Sequence, residues 1–218
     1  MPVYRHTIRN FPNPENRFLF IHIPRTAGRF FTENIKSNNF ELEDSFVWKS
    51  IDGVEPAHFH KEMYEKYLDV SDIPHMTIVR NPIDRFISTS IFLTRMYGDG
   101  IQELMEDPMM FGMMLENFPL TEGVNWFRPQ MDFISSKTDI WKFEWGFGVD
   151  FEEWISELLN VKFVMRDMPY KKLTTNESNK LVKTDRLIDN IKQLYRQDIE
   201  TFYPELATSL QEGAEEKT

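Results

Sequence analysis

Short apolar runs that read as strands alternate along this chain with stretches of helical period. That alternation is the pattern of an α/β fold whose helices cover a buried, mostly parallel sheet, a three-layer sandwich. The clearest strand is 18–23 (FLFIHI), one apolar run interrupted by His22, leading through Pro24 into a tight PRTAG turn. A helix is predicted over about 29–37. A second strand spans 76–79 and ends in Arg80, after which Asn81 and Pro82 read as N-cap and first residue of a helix reaching about residue 96, with Asp84 at its third position. Weaker strands are predicted at 46–51, 139–143 and 161–165, and helices at 151–159 and 184–202. In the last of these Leu187, Ile188, Ile191, Leu194, Tyr195 and Phe202 keep one apolar stripe.

No repeat or low-complexity linker divides the sequence, so one domain over 1–208 is expected, followed by a short acidic tail, 209–218, with the composition of a disordered segment. The 218 residues, 41% hydrophobic and 28% charged, are enough for one sizeable core and exclude a fibrous protein. With 35 acidic against 25 basic side chains the net charge is -10, which opposes nucleic acid as a partner and requires any anion site to be local. Cysteine is absent, which removes disulfides, thiolate metal sites and thiol nucleophiles together. There is neither an apolar leader nor a run of about 18 apolar residues, so a soluble, cytoplasmic protein with no membrane partner is expected. The stretch 96–114 holds half of the twelve methionines; packing on the core is the simpler reading and a substrate-facing wall the alternative.

Two predicted strand-to-helix junctions carry cations and hydroxyls: Arg25, Thr26, Gly28 and Arg29 at the first, Arg80, Asn81 and Ser88 at the second. In an open parallel sheet both lie outside the carboxyl ends of the strands, where ligands bind. At the first, a glycine permits close backbone approach and the helix start offers N–H groups, with Arg25 and Thr26 adding donors. At the second, Ser88 lies two turns into the helix and can share an anion with Arg80. Two separated anion sites suggest a ligand phosphorylated at two places. Ordinary surface cations and a turn glycine would explain either junction alone. A Walker A loop is excluded, since the G-x-x-x-x-G-K-[ST] spacing is missing.

The segment FIHIPRTAGRFF resembles the 5'-phosphosulfate loop, and TIVRNPIDRFISTS the 3'-phosphate motif, of the sulfotransferases that use 3'-phosphoadenosine 5'-phosphosulfate. Looser similarity continues in AHFHKEMY, DIWKFEW and LYRQDIETFYPEL, the last similar to the terminal helix of carbohydrate sulfotransferases. The resemblance implies a P-loop-like sulfotransferase fold, with the phosphosulfate nucleotide as donor, its desulfated bisphosphate as product, and no metal. It implies that Arg25 stands where the family has the lysine that steadies the leaving group, that Thr26, Ala27, Gly28, Arg29 and Phe30 complete that loop, and that Arg80 and Ser88 hold the 3'-phosphate. Arg85 matches a further arginine of the motif, with a helix-surface ion pair as the other reading. Arg25 for lysine, Arg29 for a small hydroxyl residue and Asn81 for aspartate depart from the family pattern. The arginine keeps charge and donors but is bulkier and planar.

Sulfuryl transfer needs a base within reach of the acceptor hydroxyl, a task suited to histidine. His58 and His60 lie between the two motifs and would share a face if their segment were extended. His58 aligns with the family's histidine, and Glu55 and His60 are the competing candidates. His22 reads as a core residue of the first strand. Lys171, Lys172 and Glu144 occupy family-like positions without an assigned role. The acceptor implied by the resemblance is a carbohydrate or small alcohol, for which Trp48, Trp126, Trp141, Trp145 and Trp154 are candidate stacking surfaces. A non-catalytic nucleotide-binding protein of the same fold and a divergent nucleotide kinase are the rival readings.

Overall fold

The computed structural model describes residues 3–6, 17–42, 51–52, 54–97, 125–166 and 184–207. The predicted strand 46–51 for the most part, the methionine-rich stretch beyond residue 97, Trp48, Lys171, Lys172 and the acidic tail lie outside them.

Five strands form one sheet: β1 (Val3–His6), β2 (Arg17–Ile21), β3 (Phe40–Leu42), β4 (His75–Val79) and β5 (Thr138–Lys142), in the order β3-β1-β2-β4-β5. The parallel part is β2-β4-β5, with Ile21 opposite Thr77 and Ile78 opposite Trp141. The other half is antiparallel, β1 pairing with both β2 and β3. The sheet is therefore mixed, not mostly parallel. The reason is that β1 lies antiparallel on the edge of β2 away from β4, and β3, from the connection between β2 and β4, pairs with β1 in turn; both are short and carry charged or polar side chains (VYRH, FEL), so no local pattern announces them.

Strand β2 is apolar on both faces because both faces are covered. Leu19 and Ile21 join Val3 and Val79 in one cluster, closed by Phe59, Met63 and Tyr64 and by Phe202 and Tyr203 near the C-terminal end. Phe18 and Phe20 join Tyr4, Met76, Ile78 and Trp141 in the other, closed by Phe31 and Ile35 of α1 (Gly28–Ser37) and Phe151 and Ile155 of α4 (Val149–Leu159). The first of these covers includes α2 (Lys61–Tyr67). Phe18, Leu19, Phe20 and Ile21 are completely buried, each contributing about 1.5–3 kcal/mol of transfer free energy. A third cluster joins α3 (Pro82–Tyr97) to α5 (Asp185–Leu194) through Phe86, Ile87 and Ile91 against Leu187, Ile191 and Tyr195.

Two predicted elements differ. The helix 184–202 is broken at Tyr195 into α5 and α6 (Arg196–Phe202). The stripe must serve two targets: Leu187 and Ile191 face α3, whereas Phe202 faces the sheet, and Tyr195 is pinned at the bend by its hydroxyl, which donates to the Phe127 carbonyl at 2.6 Å. Residues 161–166 form no strand. Their N–H groups are taken by side chains instead: Phe163 by Ser156, Val164 by Asn38, Met165 by Glu152 and Arg166 by Asn34. A segment whose donors are met this way has no need of a ladder partner. No helix among the described residues is long and apolar enough to cross a membrane.

Candidate functional site

Because β2 and β4 are parallel neighbours, the turns that leave them emerge at the same edge of the sheet. Strand β2 stops at Ile21, where the Ile23 N–H folds back onto the Ile21 carbonyl. The following turn passes through two left-handed residues, Arg25 (φ 67°) and Ala27 (φ 73°), before α1 begins. Such conformations cost about 1–3 kcal/mol at a non-glycine residue and persist where surrounding contacts over-determine them. Thr26 supplies one such contact: its buried hydroxyl donates to the Ile23 carbonyl at 2.9 Å, so it braces the turn and directs no proton outward. Ala27 is the N-cap of α1 and offers no side-chain cap to the helix's first N–H groups.

The two junctions meet at Arg25. Its Nε donates to the Oγ of Ser88 on α3 at 3.0 Å, and its guanidinium lies 5.0 Å from the centre of the Phe92 ring one turn further along. Arg80, immediately after β4, donates from Nη1 to the Arg25 carbonyl at 3.3 Å and stacks 4.6 Å from the Phe143 ring. Two cations are thus held within one hydrogen-bonded cluster, their apolar faces against aromatic rings and their donors at the sheet edge. Arg29 does not join them: it is exposed and pairs with Glu33 one turn along α1 at 3.3 Å. Phe30 packs on Phe147.

Gly28 is required by His22. A Cβ on Gly28 would lie 1.9 Å from Cδ2 and 2.0 Å from Nε2 of the His22 ring. His22 stands beyond the strand end, not within it, and its ring centre is 5.0 Å from that of His58. Burial pushes its pKa well below the usual histidine value, with His58 and Arg25 adding in the same direction, so it stays neutral. Gly28→Ala is expected to destabilise the protein by about 1–3 kcal/mol through overpacking, despite alanine's better helix propensity. A second change, His22→Ala, should recover most of that loss, and urea midpoints of the single and double variants check it.

His58 is buried, its ring 5.1 Å from Trp126, and Trp126 stacks on Phe92 at 4.6 Å with the rings 6° apart. One aromatic wall, Trp126 and Phe92, therefore has His58 at one end and Arg25 at the other. Glu55 and His58 lie together: Glu55 Oε2 is 3.6 Å from His58 Nδ1, across the 3-10 turn Pro56–His58. The segment is thus not extended at His58, the condition under which His58 and His60 would share a face. His60 instead forms the N-cap of α2, half-buried, and burial with the nearby Arg128 charge lowers its pKa to about 4.

Apart from Trp126, nothing in the segment 125–130 (NWFRPQ) stands out in the sequence, yet it connects these parts. Asn125 Nδ2 donates to the His58 carbonyl at 3.0 Å, and Trp126 packs on the His58 ring. Gln130 grips Arg80 from both sides, accepting its N–H at 2.9 Å and donating to its carbonyl at 2.9 Å. Arg85, the largest fully buried side chain, donates to the Trp126 carbonyl at 3.2 Å and the Arg128 carbonyl at 2.6 Å. It is neither a surface ion pair nor a ligand-facing cation, but the support beneath this segment. Asn81 caps α3, its Oδ1 accepting from Ile83 and Asp84, while its own N–H goes to Glu144, whose second oxygen accepts from the Tyr203 hydroxyl. Pro129 and the lack of periodicity were the only sequence signals of an irregular, buried linker here.

Among the described residues no group of three His, Asp or Glu side chains is arranged to hold a metal ion. The chain matches no protein-family model, no curated protein and no solved structure.

Proposed function

We propose that this protein is a sulfotransferase of P-loop-like fold that moves a sulfuryl group from 3'-phosphoadenosine 5'-phosphosulfate to a hydroxyl of a carbohydrate or small alcohol. The observation that carries the reading is the bond from Arg25 to Ser88, with Arg80 on the Arg25 carbonyl: the two motifs that resemble nucleotide-binding elements of that family converge on one cationic cluster. Arg80 and Ser88 take the 3'-phosphate, and Arg25 with the α1 N-terminus faces the 5' side.

His58 accepts the acceptor proton while the acceptor oxygen bonds to sulfur and the bond from sulfur to the phosphate oxygen breaks, leaving the bisphosphate. Arg25 offsets the charge gathering on that departing oxygen. Glu55 stands 3.6 Å from Nδ1, and Trp126 offers the acceptor an aromatic face next to the base. A second reading, nucleotide binding without transfer, draws support from Arg29, which is committed to Glu33 on the surface. Release of sulfate or of a sulfated product separates the two.

The first test is calorimetric binding, without magnesium, of adenosine 3',5'-bisphosphate beside adenosine 5'-phosphate. The wild type is expected to prefer the bisphosphate by about tenfold or more, roughly 1.4 kcal/mol, and Arg80→Ala to erase the preference. Equal affinity for the two ligands in the wild type sinks the proposal.

A further inference from the structure

We infer that Gln130 is a positioning residue for the Arg80 guanidinium, and that it ties this cation to the docking of the C-terminal helix α6. The inference rests on the proposed reading of Arg80 as a phosphate ligand and adds a residue and a coupling to it.

Strand β4 ends at Val79, so the Arg80 peptide groups are the first beyond the parallel ladder. The Gln130 carboxamide replaces the missing neighbour, with its oxygen on the Arg80 N–H and its nitrogen on the Arg80 carbonyl, both at 2.9 Å. Only a carboxamide carries one acceptor and a donor side by side in a neutral group, so glutamate keeps half of this clamp and methionine none. The Arg80 backbone is fixed on both sides of its Cα, and the direction in which its side chain departs is fixed with it. The guanidinium then reaches Phe143 and the Arg25 carbonyl.

Gln130 is itself completely buried and held from below. Its N–H donates to Asp198 Oδ2 at 2.8 Å and the next N–H, of Met131, to Asp198 Oδ1 at 2.9 Å. Asp198 belongs to α6. One carboxylate on the C-terminal helix thus sets the 3-10 turn Gln130–Phe133, and that turn sets Arg80. A second strap runs parallel to it, from Tyr203 through Glu144 to the Asn81 N–H.

The test is a double-mutant cycle of Gln130→Met with Arg80→Ala, with Gln130→Glu alongside, reading calorimetric affinity for adenosine 3',5'-bisphosphate and adenosine 5'-phosphate and, separately, thermal unfolding. Gln130→Met is expected to cut the preference for the bisphosphate about fivefold or more and leave adenosine 5'-phosphate affinity within about twofold; Gln130→Glu should lose less. In the Arg80→Ala background Gln130→Met should leave the affinity for each nucleotide within about twofold of Arg80→Ala alone, whereas a merely structural role would weaken both. Full preference in Gln130→Met, or an equal loss with and without Arg80, overturns the inference. So does loss of cooperative unfolding in both Gln130 variants, which would assign the residue to folding alone. A wild type that does not distinguish the two ligands overturns the parent reading, and this one with it.

Discussion

Replacing His58 by alanine is expected to lower the rate of sulfuryl transfer by about a hundredfold or more, roughly 2.7 kcal/mol of barrier, while affinity for adenosine 3',5'-bisphosphate changes by less than about twofold. The separation follows from the geometry. His58 contacts the aromatic wall at Trp126, whereas the cationic cluster of Arg25, Ser88 and Arg80 sits at the other end of that wall, beyond Phe92. Removing the imidazole takes away a proton acceptor and leaves the cations in place. Because the ring is buried, alanine also leaves a gap beside His22 and Trp126, so His58→Gln, closer in size, is the control for packing. Both variants should lose turnover alike. Glu55→Gln should cost much less, since a separation of 3.6 Å is too long for a hydrogen bond and the carboxylate is largely exposed and screened by solvent. The assay is single-turnover transfer to a panel of sugar and alcohol acceptors beside bisphosphate titration. A parallel fall in bisphosphate affinity would place His58 among the nucleotide ligands and remove it as the base.

The junctions were legible in the sequence because their signals are local. Asn81, Pro82 and Asp84 announce a capped helix start, and the structure places the Asn81 Oδ1 on the Ile83 and Asp84 N–H groups. The apolar run of β2 announces a strand buried on both faces. What escaped depends on partners remote in the chain. β1 exists through pairing with β2 and β3 through pairing with β1, and the strand expected at 161–165 dissolves because Ser156, Asn38 and Glu152 take its N–H groups. Within the site, Arg25, Ser88 and Arg80 stood out by charge and spacing, whereas Gln130 and Asp198 are silent: one glutamine and one aspartate among many polar residues, defined only by which backbone groups they reach across gaps of 50 and 68 residues. Gly28 was legible as a glycine but not for its reason, since the ring that excludes a Cβ there belongs to His22.

Asp198→Ala is expected to destabilise the protein by about 3–5 kcal/mol, the other large effect. Asp198 is completely buried, and its two oxygens take the N–H groups of Gln130 and Met131. Burial raises its pKa, and the Arg85 charge and the two N–H groups offset only part of that rise. Alanine strands those two donors out of water and removes a buried negative charge that interacts with the Arg85 charge at longer range, Arg85 being itself buried with its Nε lacking a partner among the described residues. Arg85→Met should cost a comparable amount, because it releases the Trp126 and Arg128 carbonyls and leaves Asp198 buried without its cation. The two losses should not add. Once either charge is gone, removing the other relieves a desolvated ion, so the double variant is expected to fall short of the sum of the singles by about 1–3 kcal/mol. Urea unfolding of the four proteins measures this directly, and strict additivity would mean that the two charges act independently. The position of the two residues gives the result a bearing on the site: Arg85 rises from α3, five residues after Arg80 leaves the end of β4, and Asp198 from α6. Between them they hold the segment 125–130 against both His58 and Arg80.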